Sequence, residues 1–150
     1  MRQRFILDAW AVLAFLQKEE PAASRVKRLL EDAERNSIEL FISIINLGEV
    51  MHLIGRRKGE EEAWSTLDDI RRLPVTIVPA TEEAVFSAAR FKMRYPISYA
   101  DAFAAATAEA LDAVLVTGDP ELLQLGDQIR MERLERLDGY TANEHNKGIS

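Results

Sequence analysis

The sequence contains no cysteine and only two histidines, His52 and His145. Without cysteine the chain forms no disulfide, thiolate metal site or cysteine nucleophile, and this composition is typical of a reducing cytoplasm. A zinc site has little support, because zinc in proteins is held mainly by cysteine and histidine. No run of residues approaches the ~18 consecutive apolar residues of a membrane span. We therefore expect a cytoplasmic protein that does not associate with membranes.

The chain also lacks an excess of positive charge, since 19 basic and 25 acidic residues give a formal net charge of −6. General binding of nucleic acid usually needs a basic face, so the total charge argues against it unless the acids gather at one site. The basic start, MRQRF, precedes an apolar run that Asp8 interrupts. That run has no small-residue cleavage site, so we expect no secretory signal.

What remains is an ordinary globular composition, with 47% apolar and 29% charged residues in 150. This length suits one domain with a substantial core. We assign residues 1–137 to that domain. The last segment, residues 138–150, is polar with almost no apolar anchor, and we expect a loosely ordered tail there.

Short apolar runs alternate with helical apolar patterns along the domain. Strands are predicted at Phe5–Leu7, Glu39–Ile42, Val75–Val78 and Ala113–Thr117, with a weaker one at Ile129–Leu134. Helices are predicted between them, including Glu60–Leu73, where the spacing places Trp64, Leu67 and Ile70 inward. This alternation indicates parallel βαβ units. We predict a three-layer α/β/α sandwich with a central parallel sheet of four or five strands.

Four acidic residues fall where the predicted strands end or soon afterwards. Asp8 ends the first strand, Glu49 lies two turns into the helix after the second, Asp101 opens an alanine-rich helix, and Asp119 follows the fourth strand. Ligands of such sheets collect at the carboxyl ends of the strands. Each aspartate, taken singly, is also explained by helix capping or by a favourable first-turn position.

Glu49 is not explained by capping. Its neighbours at three and four residues along the helix include Ile45 and Leu53 but no lysine or arginine. A carboxylate without a cation partner among apolar side chains must become neutral or find a partner elsewhere. If Asp8, Asp101 and Asp119 join it, the four repel one another unless a hard divalent cation such as Mg²⁺ lies between them.

These acids stand in four segments that resemble the successive motifs of a PIN domain: FILDAWAVLAFL, SIINLGEV, SYADAFAAATAEAL and VLVTGDPELL. More narrowly, the segments are similar to those of the VapC-type toxins of type II toxin–antitoxin pairs. The resemblance extends from Phe5 to about Leu134. It implies that the catalytic, metal-binding quartet is Asp8, Glu49, Asp101 and Asp119. It also implies possible auxiliary roles for Thr117 and Glu121.

The resemblance further implies a Mg²⁺- or Mn²⁺-dependent endoribonuclease that hydrolyses RNA phosphodiester bonds as the toxin of such a pair. A cognate antitoxin and a homodimer are the implied protein partners. The sequence departs from the family pattern at Trp10, where many members carry a small hydroxyl residue. Trp10 is interpreted either as a residue of the core or of a dimer contact, or as a residue that walls the site or stacks on a base.

Two other functions are alternatives to a metal-dependent ribonuclease. A phosphoacceptor domain also places an aspartate after its first strand, but it requires a second acid nearby, and Asp8-Ala9-Trp10 supplies none. The second alternative is a PIN-fold module that binds RNA or protein with little or no catalytic turnover. The sequence leaves this alternative open, because a complete acidic quartet does not by itself demonstrate turnover.

Overall fold

Five short parallel strands form the central sheet. The computed structural model of the chain describes residues 1–137. The strands are β1 (Gln3–Leu7), β2 (Ile38–Ser43), β3 (Thr76–Val78), β4 (Val114–Thr117) and β5 (Met131–Arg133). Their order across the sheet is β3–β2–β1–β4–β5, and every neighbouring pair is parallel. The predicted parallel sheet is confirmed, whereas the predicted tail at 138–150 lies outside the described residues.

Helices form the connections between successive strands. They are α1 (Ala9–Leu16), α2 (Ala22–Glu34), α3 (Ile44–Lys58), α4 (Glu60–Arg71), α5 (Glu82–Arg94), α6 (Tyr99–Leu111) and α7 (Pro120–Leu123), followed by a 3-10 turn at Gly126–Gln128. Side-chain oxygens cap the starts of several helices: Ser43 caps α3, Thr81 caps α5 and Ser98 caps α6. No helix within residues 1–137 is long and apolar enough to span a membrane.

The alternation of side chains along β1 separates the two faces of the sheet. Phe5 and Leu7 pack in the core formed with α1 to α4, whereas Ile6 packs in the core formed with α5 to α7. This two-residue period is what a strand with two covered faces requires. The three-layer α/β/α architecture predicted from the alternating elements is therefore confirmed.

Helix α4 differs from its predicted orientation at one residue. Leu67 and Ile70 are buried as expected, but Trp64 is 55% exposed and Ala63 takes the inward position. Successive helical residues lie only ~100° apart, so an apolar pattern does not distinguish between Ala63 and Trp64 as the first inward residue. The prediction for Trp64 is wrong by one position on the helix.

The strand order creates a crevice at the centre of the carboxyl edge. From β1 the chain moves outward to β2 and β3, and it then crosses to the opposite side of β1 to form β4 and β5. In sheets of this kind, ligands bind where the chain changes direction, outside the carboxyl ends of the two central strands. Here those strands are β1 and β4, which end at Leu7 and Thr117.

Candidate active site

Asp8 follows β1 directly and is only 1% exposed. Its carboxylate caps α1 by accepting a hydrogen bond from the Ala11 amide at 2.9 Å. The hydroxyl of Thr117, at the end of β4, donates a hydrogen bond to the other oxygen. Burial raises the pKa of Asp8 from 3.8 to about 7, with smaller contributions from the charges of Asp119 and Glu49. The two hydrogen bonds act in the opposite direction without cancelling the effect of burial.

Asp101 lies in the first turn of α6, one turn after the capping residue Ser98. The hydroxyl of Ser98 accepts a hydrogen bond from the Asp101 amide at 3.1 Å, and Asp101 is 5% exposed. The pKa of its carboxyl is raised from 3.8 to about 9, mainly by burial and then by a hydrogen bond with Glu121 and the charges of Asp119 and Asp8. A second acid therefore has a strongly raised pKa at this edge of the sheet.

Asp119 belongs to a short turn, Thr117-Gly118-Asp119, that joins β4 to α7. Its amide donates to the Thr117 hydroxyl oxygen at 2.9 Å, and its carboxylate caps α7 by accepting from the Glu121 amide at 2.9 Å. The Thr117 side chain thus contacts both Asp8 and Asp119. It fixes the relative positions of the loops that follow the two central strands.

These three aspartates converge on one point. One carboxylate oxygen from each of Asp8, Asp101 and Asp119 lies within 4.8 Å of the other two, although the residues are far apart in sequence. Such a separation allows a single ion to contact all three. The capping interactions considered for Asp8 and Asp119 are also present, so capping and convergence coexist at the same side chains.

Glu49 lies beside this group rather than within it. It is half-buried on α3, and burial raises the pKa of its carboxyl, with a further contribution from the charge of Asp119. The Asn46 amide, one turn earlier, is hydrogen-bonded to Glu49 and also donates to the carbonyl of Ala100 at 3.1 Å. Glu49 therefore lies outside the group of three and interacts with Asp119 and Asp8 through its charge.

Asn46 is a residue of the site that the sequence interpretation did not identify. It is fully buried, it connects α3 to the start of α6, and its Oδ1 atom has no partner within the described residues. The usable signal was its position three residues before Glu49 on a helix whose other inward residues are apolar. Only the fold reveals that this face meets the residue before Asp101.

Glu121 and Lys92 lie at the margin of the site. The exposed Glu121 accepts a hydrogen bond from the Ser98 amide at 3.1 Å, and its hydrogen bond with Asp101 lowers its pKa. Lys92, whose charge acts in the same direction, donates to the carbonyl of Ile97 at 2.8 Å. The interaction between the two carboxyls thus raises the pKa of Asp101 and lowers that of Glu121, which favours the protonated form of Asp101.

The donor set at the crevice fits a hard divalent cation. Within residues 1–137, none of Asp8, Glu49, Asp101 and Asp119 forms an ion pair with a lysine, arginine or histidine. Their oxygens are the ligand type that Mg²⁺ and Mn²⁺ prefer. A cation would remove the mutual repulsion that contributes to the raised pKa values of Asp8 and Asp101.

In a comparison of the sequence with protein-family models, residues 5–128 match the model described as PIN domain. The chain belongs to the PIN domain family. This membership places it in a nuclease superfamily and agrees with an acidic cluster at the carboxyl edge of a five-stranded parallel sheet. Among curated proteins, no relative matches the sequence significantly.

The PIN fold of this chain is similar to that of several solved toxin–antitoxin structures. VapBC2 from Rickettsia felis, bound to a DNA fragment from the promoter, has a TM-score of 0.68 at 19% identity, over 89% of this chain and all of that one. DNA-bound VapBC from Salmonella typhimurium has a TM-score of 0.67 at 17% identity, over 89% of this chain and 98% of that one. VapC20 of Mycobacterium tuberculosis, a sarcin–ricin loop cleaving toxin, has a TM-score of 0.65 at 19% identity, over 81% of this chain and 95% of that one.

Proposed function

We propose that this PIN domain is a Mg²⁺- or Mn²⁺-dependent endoribonuclease that acts as the toxin of a toxin–antitoxin pair. The observation that carries the proposal is the convergence of three buried or half-buried aspartates with no basic partner in the described part of the chain. Membership of the PIN family and similarity to VapC structures support the same reaction class.

Asp8, Asp101 and Asp119 are the residues proposed to hold the metal directly. Glu49, at the edge of the group, is proposed to orient a metal-bound water or to bind a second ion. All four must be ionised to do so, and the raised pKa values of Asp8, Glu49 and Asp101 therefore make metal affinity increase with pH. When bound, such an ion lowers the pKa of a coordinated water and neutralises charge on the scissile phosphate.

The remaining groups of the site are proposed to orient these ligands. The Ala11 amide and the Thr117 hydroxyl fix both oxygens of Asp8, which keeps its carboxylate directed along the crevice. Glu121 is hydrogen-bonded to Asp101 and orients its carboxyl, and the proton that Asp101 loses on metal binding passes to solvent, because the pKa of Glu121 is lowered. Lys92 is a cation at the margin of the crevice, where it is available to contact a phosphate of the RNA.

Cleavage of RNA by the purified, antitoxin-free protein tests this proposal. We expect cleavage with Mg²⁺ or Mn²⁺ and none with a chelator. Asp8→Asn and Asp101→Asn are expected to abolish cleavage without loss of fold. Asp112→Asn is the matched control, because Asp112 is exposed and pairs with Arg130 at 2.9 Å, away from the crevice. Equal activity in all three variants would reveal a contaminating nuclease and reject the assignment.

The protein partners form a separate part of the proposal. Several structural neighbours are complexes of a VapC-like chain with its antitoxin, which supports a cognate antitoxin for this protein. A homodimer is proposed from the same resemblance. Affinity purification of the tagged protein after co-expression with the products of adjacent reading frames tests for the antitoxin. Sedimentation of the purified protein tests for the homodimer. Non-interacting, monomeric chains would reject both.

A further inference from the structure

The Thr117-Gly118-Asp119 turn, which carries a metal ligand of the proposed site, packs against an aromatic ring. A side-chain carbon placed on Gly118 would lie 2.4 Å from Cη2 of Trp10 and 2.6 Å from both Cζ2 and Cζ3. Those three atoms belong to the six-membered ring, so the ring lies against the Gly118 backbone. Gly118 is therefore required by this close approach, and no other residue type fits while the ring stays in place.

Both neighbours of Gly118 belong to the acidic site. Thr117 donates to Asp8, and the Asp119 amide donates to Thr117 at 2.9 Å. The Trp10 ring thus contacts the middle of a three-residue turn that is tied to one aspartate and contains another. A displacement of this turn moves Asp119 relative to Asp8 and Asp101, which are held by α1 and α6.

The ring is itself held by the segment that follows β5. The guanidinium carbon of Arg136 lies over the Trp10 ring, 5.0 Å from its centroid, and Arg136 also pairs with Glu19 at 2.9 Å. The Leu134 amide in the same segment donates to the Thr117 carbonyl at 2.8 Å. The segment therefore contacts the turn directly at Thr117 and indirectly through Trp10.

We propose that Trp10 is a positioning residue that holds the Thr117-Gly118-Asp119 turn, and with it the carboxylate of Asp119, at the distance the metal requires. This inference rests on the proposed function, because it assumes that the three aspartates bind a divalent cation. Of the interpretations of Trp10 made from the sequence, packing in the core is present in part, because the partly buried ring packs against the core formed with α1 to α4. The same ring also acts on the protein backbone of the site, a role that the sequence interpretations did not include.

Mn²⁺ affinity, measured by calorimetry or electron paramagnetic resonance without RNA, is the readout. Replacement of a group that orients metal ligands typically costs ~10–100-fold in affinity, and we expect about tenfold for Trp10→Ala. Trp10→Phe, which keeps an aromatic face and guards against loss of folding, should lose less than Trp10→Ala. Trp64→Ala is the matched control, because Trp64 is 55% exposed on α4, and its affinity should equal that of the wild type.

A double-mutant cycle separates positioning from a merely structural role. Gly118→Ala places a methyl group against the ring, so it should weaken Mn²⁺ binding in the wild type by at least as much as Trp10→Ala does. In the Trp10→Ala background, Gly118→Ala should reduce Mn²⁺ affinity only slightly, because the ring that the added methyl group would meet is absent. A role in stability alone would lower the melting temperature without this difference between the two Gly118→Ala penalties in Mn²⁺ affinity.

The outcomes distinguish this inference from the proposed function. Wild-type protein that fails to bind Mn²⁺ rejects the metal site and the positioning role together. Wild-type binding that is unchanged in Trp10→Ala rejects the positioning role and leaves the metal site intact. Equal penalties for Gly118→Ala in both backgrounds also reject it. Weaker binding in Trp10→Ala, together with little further loss when Gly118→Ala is added to it, supports both.

Discussion

At the amino edge of the sheet, carboxylates face arginines. Glu39 accepts a hydrogen bond from Arg4 at 3.0 Å, and Asp112 accepts one from Arg130 at 2.9 Å. At the carboxyl edge, Asp8 and Asp101 are more deeply buried, and no basic side chain within residues 1–137 pairs with them. Within the described part of the chain, Glu39 and Asp112 at the amino edge thus have a basic partner, whereas Asp8 and Asp101 at the carboxyl edge have none.

This difference between paired and unpaired acids indicates which edge of the sheet carries a functional site. An exposed ion pair such as Arg130–Asp112 contributes little to stability and needs nothing further. Buried like charges are unfavourable for folding, and they are retained where a ligand supplies the missing charge. The carboxyl edge therefore offers a place for the divalent cation proposed above, whereas the ion pairs of the amino edge are formed within the chain.

The largest expected effect is the loss of RNA cleavage when an acid of the carboxyl edge becomes an amide. We expect Asp101→Asn to reduce the cleavage rate at least about a hundredfold, because the metal loses a ligand. The same change at the amino edge, Asp112→Asn, should leave the rate within about twofold of the wild type. Comparable losses at both edges would remove the contrast between them.

Metal binding should stabilise only the protein with an intact carboxyl edge. Mn²⁺ at about 100 times its dissociation constant adds ~2.7 kcal/mol to the free energy of unfolding, which corresponds to a rise of several degrees in melting temperature. The rise should persist in Asp112→Asn and disappear in Asp101→Asn. Differential scanning fluorimetry measures both, and a persistent rise in Asp101→Asn would mean that Mn²⁺ binds elsewhere.

Without metal, stability should decrease as pH rises. Folding raises the pKa of Asp8 from 3.8 to about 7 and that of Asp101 from 3.8 to about 9. Between pH 3.8 and about 9, the folded state therefore binds more protons than the unfolded chain. The free energy of unfolding therefore falls as pH increases through this window. We expect a melting temperature at least ~5 °C lower at about pH 8 than at about pH 5.

The substitution Asp101→Asn sharpens this pH prediction. It removes the carboxyl with the larger rise in pKa, so the dependence of melting temperature on pH should become shallower. The metal-free variant should also be more stable than the wild type at high pH, because an ionised buried group has been replaced by a neutral one. A steeper dependence or a destabilised variant would contradict the account of Asp101.

The smallest expected effect belongs to the amino edge. Asp112→Asn removes an exposed ion pair with Arg130 and should cost less than about 1 kcal/mol of unfolding free energy. Asparagine also suits the left-handed backbone at this position, where φ is 52°. Urea titration measures the difference. A loss of several kcal/mol would show that the amino edge, too, depends on its charges.

Most of the fold was predictable because its signals are local. Each strand is a short apolar run, and capping residues such as Ser98 and Thr81 precede helices with a clear apolar period. Strand direction followed from the alternation of strands with helices. What periodicity does not resolve is the exact rotation of a helix, and Trp64 was consequently assigned to the wrong side of α4.

The acidic residues were also visible in the sequence, since Asp8, Asp101 and Asp119 each follow a strand or open a helix. Their supporting residues were not, because those contacts join distant parts of the chain. Asn46 contacts Ala100, and Trp10 contacts Gly118, and neither pair has a spacing that a sequence pattern reveals. Only the register of β1 against β4 brings the two loops together.

Anomalous diffraction from a crystal soaked in Mn²⁺ locates the cation proposed to lie among Asp8, Asp101 and Asp119. We expect a peak in the crevice with a carboxylate oxygen of each aspartate about 2.1 Å away, close to the Mg²⁺ distance. No peak there, or a peak that contacts none of the three aspartates, would reject this metal site.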